Sequence, residues 1–143
     1  MEMQRDSLGS IGYLTNLAGR LLVRALERRL GSGAGPMPVF LALVDGKALA
    51  QKDLARLAAV EQPTMANTLA RMERDGLIAR APDPADRRST LLRLTRAGQQ
   101  RAESALAAAG EVNALALSAL APGERPQFIA MLQRVIATLE ADG

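Results

Sequence analysis

VEQPTMANTLARMERDGLIARAPDPADRRSTLLRL, residues 60–94, places a helix-like segment, a Gly-terminated turn and two short strand-like runs around a loop with paired arginines. With Met65 pointing inward and about 100° per residue, Leu69 and Met72 fall within about 40° of it. Asn67, Arg71 and Arg74 then lie roughly 180–240° away, and Thr64 flanks them. One face is apolar; the other carries short polar groups first and arginines further on. Just upstream, residues 51–58 read as a second helix. Across the pair Leu54, Leu57, Val60, Met65 and Leu69 are the expected inward residues, with Ala55 small where the helices cross. Two helices, a tight turn and a following hairpin predict a winged helix-turn-helix.

The hairpin is expected from two strands, residues 77–80 and 90–94. Between them APDPADRRS holds two prolines, which break a central strand and suit a loop. Arg87 and Arg88 are expected at its tip, within reach of the negative potential of a DNA minor groove. Asp86, directly before them, is expected to salt-bridge one arginine and hold the loop in shape. Gly76 fits a helix C-cap and Thr95 a helix N-cap.

Outside this centre the chain reads as helices. Residues 8–30 carry Leu14, Leu17, Ala18, Leu21 and Ala25 at helical spacing, widened by Leu22, Leu26 and Leu30. GSGAGP (31–36) is a flexible linker. Pro38 suits the first turn of a helix running to about residue 45, where Gly46 stops it. A long Ala-rich helix is expected from Thr95 to about residue 119, then a break at APGERP. A last helix carries Phe128, Leu132, Val135, Ile136 and Leu139 as one stripe. The predicted fold is mainly α with a small β-hairpin. Residues 36–95 form the winged helix-turn-helix DNA-binding domain, and residues 1–35 and 96–143 a helical region whose apolar faces suit dimerisation.

Composition narrows the chemistry. With no Cys and no His there is no disulfide, no thiol sensor and no usual metal ligand or general base, and no carboxylate constellation stands out. No catalytic residue, metal or cofactor is expected. The only aromatics are Tyr13, Phe40 and Phe128, so the core must be mostly aliphatic. No apolar run reaches the roughly 18 residues of a membrane span, and the N-terminus lacks a basic-then-apolar signal shape. A soluble, cytoplasmic chain with no membrane partner is expected. Net charge is +3, yet residues 71–101 hold eight arginines against four acids, an excess larger than that of the whole chain. Arginine suits bidentate phosphate and base-edge contacts.

Double-stranded DNA is therefore the expected partner, read by Gln62, Pro63, Thr64, Asn67, Thr68, Arg71 and Arg74 on the second helix and by Arg87 and Arg88 on the wing. Asn67 matches adenine N6/N7, and Arg71 guanine or phosphate. Tyr13, Asn16 and Arg20, near-helically spaced on the first helix, are candidates to line a ligand cleft.

The EQPT start (61–64), the L-x-R-M-E-R-D-G-L-I stretch (69–78), the D-P-x-D-R-R wing (83–88) and L-T-x-x-G (94–98) together resemble the core of the multiple antibiotic resistance regulator (MarR) family. The resemblance implies a homodimeric winged-helix transcription factor on a pseudo-palindromic operator, commonly a repressor, released by a small, often aromatic, anionic effector. It puts the DNA-reading helix on residues 62–74, the wing arginine on Arg88 or Arg87 and the wing-stabilising acid on Asp86. Three positions depart from the pattern. Asn67 stands where relatives often carry arginine, Ala59 where the turn often has Gly, and Pro38 where a polar residue is common. Two other readings fit the residues: a constitutive DNA binder with no effector, and a protein–protein adaptor on the same scaffold.

Overall fold

The computed structural model describes residues 9–143. It holds two compact units, one running to Ala109 and one spanning Gly110–Gly143. Residue 8 of the expected first helix, and residues 1–8 of the expected 1–35 segment, lie outside the described residues.

In the first unit, α1 (Ile11–Leu30) starts at Ser10, whose Oγ accepts the Tyr13 N–H at 3.2 Å, and ends at Gly31 with φ 70°. Arg28 and Arg29 in its last turn suit the negative end of the helix dipole. Helix α2 (Met37–Leu43), with Pro38 in its first turn, is shorter than its sequence suggests. Asp45 and Gly46 adopt left-handed φ of 68° and 79°, which ends regular α-helix before residue 45 and leaves a 3₁₀ turn (Val44–Gly46).

A strand with no sequence signature follows. β1 (Leu49–Ala50) pairs Leu49 with Leu92 and Ala50 with Leu91, so the expected hairpin is part of a three-stranded antiparallel sheet of order β1-β3-β2. Helix α3 (Gln51–Ala58) begins immediately and stops in a Schellman turn. There Ala59 N–H donates to the Arg56 carbonyl at 3.1 Å and Val60 N–H to that of Ala55 at 3.0 Å, with Ala59 at φ 53°, ψ 43°. Helix α4 (Gln62–Arg74) closes in the same way on Gly76, φ 74°: Gly76 N–H donates to Glu73 and Leu77 N–H to Met72.

Val39, Phe40 and Leu43 from α2, Leu54 and Ala55 from α3, and Met65, Leu69 and Met72 from α4 close the core over Leu77, Ile78 and Leu92 of the sheet region. Leu57 and Val60, expected inward, are 61% and 39% exposed. The buried face of α3 centres between Leu54 and Ala55, which leaves Leu57 roughly 110° off it. Val60 lies beyond the reversal at Ala59.

Strands β2 (Ile78–Asp83) and β3 (Asp86–Leu94) are longer than expected and run through residues read as loop. Pro82 pairs with Thr90 because β2 is an edge strand, where a missing N–H costs no ladder bond. Helix α5 (Arg96–Leu117) is capped by Thr95, whose Oγ1 accepts the Gly98 N–H at 3.1 Å. Thr95 also donates through N–H to the Leu77 carbonyl at 3.0 Å and through Oγ1 to that of Gly76 at 2.6 Å. Gly98 is buried, and a Cβ there would overlap the Leu77 carbonyl oxygen and lie 2.9 Å from its carbon. This is the physical content of L-T-x-x-G: it seats the start of α5 on the turn that ends α4.

In the second unit α6 (Glu124–Asp142) buries no residue. Phe128, Ile129, Met131, Ile136 and Leu139 are all exposed, with Leu132 and Val135 half-buried.

Candidate nucleic-acid interface

The first turn of α4 has no side-chain cap: the Glu61 carbonyl at the N-cap accepts the Met65 N–H at 3.1 Å, but the Glu61 side chain makes no hydrogen bond to the helix. Free N–H groups at a helix N-terminus attract anions, and Pro63 spends no donor there. Gln62, Pro63, Thr64, Asn67, Arg71 and Arg74 are exposed, on the side away from buried Met65, Leu69 and Met72. Thr68 is half-buried and its hydroxyl donates to the Thr64 carbonyl at 3.2 Å, which turns it toward its own helix. Arg74 Nε sits 3.4 Å from Asp75 Oδ1. Among the described residues, no ion pair or side-chain hydrogen bond engages Arg71. Sequence reasoning missed a tie between helix and wing: Arg80 Nε donates to Glu73 Oε2 at 2.9 Å, joining α4 to β2. Its seven-residue spacing across a helix end carries no periodic signal.

The wing differs from expectation in two ways. Its tip is Pro84–Ala85, and Arg87 and Arg88 lie on β3 just past the turn. Asp83 pairs with Asp86 while Pro82 pairs with Thr90, so Arg87, Arg88 and Ser89 fall in a register jump with no partner on β2. Such a bulge bends the strand and re-aims its side chains. Both arginines are exposed and, among the described residues, without a side-chain partner. Asp86 forms no ion pair with either of them. Its Oδ1 accepts the Arg88 backbone N–H at 3.0 Å, as Asp83 Oδ1 accepts that of Ala85 at 2.9 Å. Asx turns of this kind satisfy local N–H groups that the ladder leaves free.

Tyr13, Asn16 and Arg20 are all exposed on α1. Asn16 and Arg20 share an open concavity with Thr15, Gly19, Val23, Arg24 and Glu27, which does not include Tyr13. Among the described residues no helix is long and apolar enough to cross a membrane, and no three acidic side chains are grouped to hold a metal ion.

An uncapped helix end, an exposed polar-to-arginine face and a bulged basic wing form a set of outward-facing donors suited to phosphate and base edges. The MarR family model matches residues 44–90, the stretch from the 3₁₀ turn to the wing. The transcriptional regulator HosA of Escherichia coli O111:H- is 31% identical over 98 residues, 68% of this chain and 73% of HosA. The HTH-type transcriptional repressor NicR of Pseudomonas putida is 29% identical over 102 residues, 71% of this chain and 65% of NicR's length. The structure of Bordetella bronchiseptica BpsR, a protein whose DNA binding is regulated by 6-hydroxynicotinic acid, superposes with a TM-score of 0.79 at 26% identity, covering 90% of this chain and 94% of BpsR. The chain belongs to the MarR family, whose members are DNA-binding transcriptional regulators and not enzymes.

Proposed function

We propose that the protein is a homodimeric cytoplasmic repressor that binds a pseudo-palindromic operator and is released by a small aromatic anion. The observations that carry DNA binding are the exposed arginines Arg71, Arg87 and Arg88, whose side chains have no partner among the described residues, and the uncapped start of α4. Gln62, Pro63, Thr64, Asn67, Thr68, Arg71 and Arg74 meet the major groove, Arg87 and Arg88 the flanking minor groove, and Asp86 holds the wing backbone in shape. Residues 36–95 are the reading domain, and residues 1–35 and 96–143 join the two copies.

Dimerisation is supported by α1 and α6, each described in its own unit. Leu14, Leu17, Leu21 and Leu22 on α1 are exposed, as are five large apolar side chains on α6. A soluble chain seldom leaves apolar faces this large in water. Two recognition helices about 34 Å apart enter successive major grooves. Repression follows NicR's description, and the effector class follows the 6-hydroxynicotinic acid of BpsR. On this chain Tyr13, Asn16 and Arg20 offer an aromatic ring, an amide and a cation for such an acid. An effector favouring a dimer of different helix spacing loosens both half-sites together, and differential affinity is all it needs.

Sedimentation analysis, a DNA selection with the purified protein and titration of the selected duplex test this reading. A dimer, a two-fold-symmetric motif and a loss of roughly 10³–10⁵ in affinity from 50 to 200 mM salt are expected for six to ten phosphate contacts. A monomer, or binding indifferent to salt, overturns it. Release of the duplex by hydroxylated pyridine or benzene carboxylates separates an effector-controlled repressor from a constitutive binder.

A further inference from the structure

The first residue of α3 reaches the first residue of α4. Gln51 Nε2 lies 3.5 Å from both the backbone carbonyl oxygen and the side-chain Oε1 of Gln62. The two ends of a carboxamide differ only in hydrogen-bonding sense, so partners decide which way each points. A backbone carbonyl accepts and never donates, so the Gln62 carbonyl sets the NH₂ end of Gln51 toward α4. That NH₂ has a second hydrogen, and it meets the oxygen end of the Gln62 side chain. Gln62 is thereby turned with its oxygen toward the protein and its NH₂ outward, on the exposed N-terminal turn of the recognition helix.

We propose that Gln51 is a positioning residue that fixes the Gln62 carboxamide with its donor end toward the major groove, so that Gln62 selects a base edge offering an acceptor. This rests on the DNA-reading role of α4 and specifies one part of it. The acceptors available are purine N7, guanine O6 and thymine O4. An unheld glutamine can flip and accept from cytosine N4 or adenine N6 instead, so the clamp supplies selectivity that Gln62 alone lacks. Gln51 is half-buried beside Gln62, and its role is to hold the partner's orientation.

The test uses the full-length protein and duplexes carrying the motif selected by the wild type, each half-site base pair replaced in turn by the other three. Gln62→Ala identifies the base pair read by Gln62 by erasing preference there. Gln51→Ala is expected to reduce preference at that same pair roughly five- to tenfold, leaving other positions and the melting temperature unchanged. The double variant is expected to match Gln62→Ala alone, since two residues acting as one unit are not additive. Gln51→Glu offers only acceptors, so it gives up the Gln62 backbone carbonyl, can only accept from the Gln62 NH₂ and is expected to move preference toward donor-bearing edges. Unchanged preference in Gln51→Ala, or losses that add in the double variant, overturns the inference while DNA reading stands. A wild type with no sequence preference at any position overturns both.

Discussion

Replacing Gly98 by Ala isolates the joint between α5 and the end of the recognition helix. An added Cβ overlaps the Leu77 carbonyl oxygen and lies 2.9 Å from its carbon, with Leu94 Cδ2 at 3.2 Å. Carbon contacts sit near 3.5–4.0 Å, so the two backbone segments must separate by roughly 1 Å or more. Overpacking of this kind costs about 1–3 kcal/mol. The same movement breaks the two bonds from Thr95 to the Gly76 and Leu77 carbonyls, about 1 kcal/mol each. Alanine's helix preference over glycine returns about 1 kcal/mol. The net is about 2–4 kcal/mol, and at roughly 4 °C per kcal/mol for a chain of this size the melting temperature falls by about 8–16 °C. Gly110, on the same helix, is the control: a Cβ there meets nothing within 4 Å, so Gly110→Ala should gain a few tenths to about 1 kcal/mol. Circular dichroism melts of both variants at one fixed protein concentration decide the matter. Gly98→Ala melting at or above the wild type would refute the packing account of L-T-x-x-G.

Ala59→Gly relieves a left-handed backbone at φ 53°, and urea unfolding should show a gain of about 0.5–1 kcal/mol with DNA affinity unaltered. Arg87→Ala and Arg88→Ala should weaken binding to all sequences about equally, each lowering the slope of log affinity against log salt by about 0.9 wherever the arginine meets a phosphate. Asp86→Ala removes the acceptor for the Arg88 N–H and should weaken operator binding severalfold, whereas Asp86→Asn keeps Oδ1 and should bind close to wild type. Equal losses in the two Asp86 variants would point to the carboxylate charge instead. Ile136→Glu on the exposed face of α6 should give monomers by sedimentation and lose operator binding without unfolding the winged domain.

The helix-turn-helix was legible because its buried residues recur at helical period. Met65, Leu69 and Met72 are buried where the 100° rule puts them, and Ala59 marks the turn. The same rule misled at Val60, which lies past the reversal at Ala59 and outside the helix, and at Leu57, because in a helix of eight residues the buried direction is set by whichever two side chains meet the neighbouring helix. Here those are Leu54 and Ala55. The wing was harder for a different reason. Proline forbids a strand only where its nitrogen should donate, and whether β2 lies at an edge is a property of the sheet, not of the local sequence. With Pro82 admitted to a strand the hairpin extends, its tip moves to Pro84–Ala85, and the arginines pass from the apex into a bulge. Two-residue β1 has no pattern to read and exists because Leu92 and Leu91 offer it a ladder. Asp86 shows the limit most clearly. An acid beside two arginines invites an ion pair, yet an exposed pair contributes at most about 1 kcal/mol and must immobilise two side chains. A carboxylate two residues before a free backbone N–H closes an Asx turn at little entropic cost. The acid therefore accepts a wing backbone N–H and, among the described residues, leaves both guanidinium groups unpaired, the arrangement that the proposed phosphate contacts require.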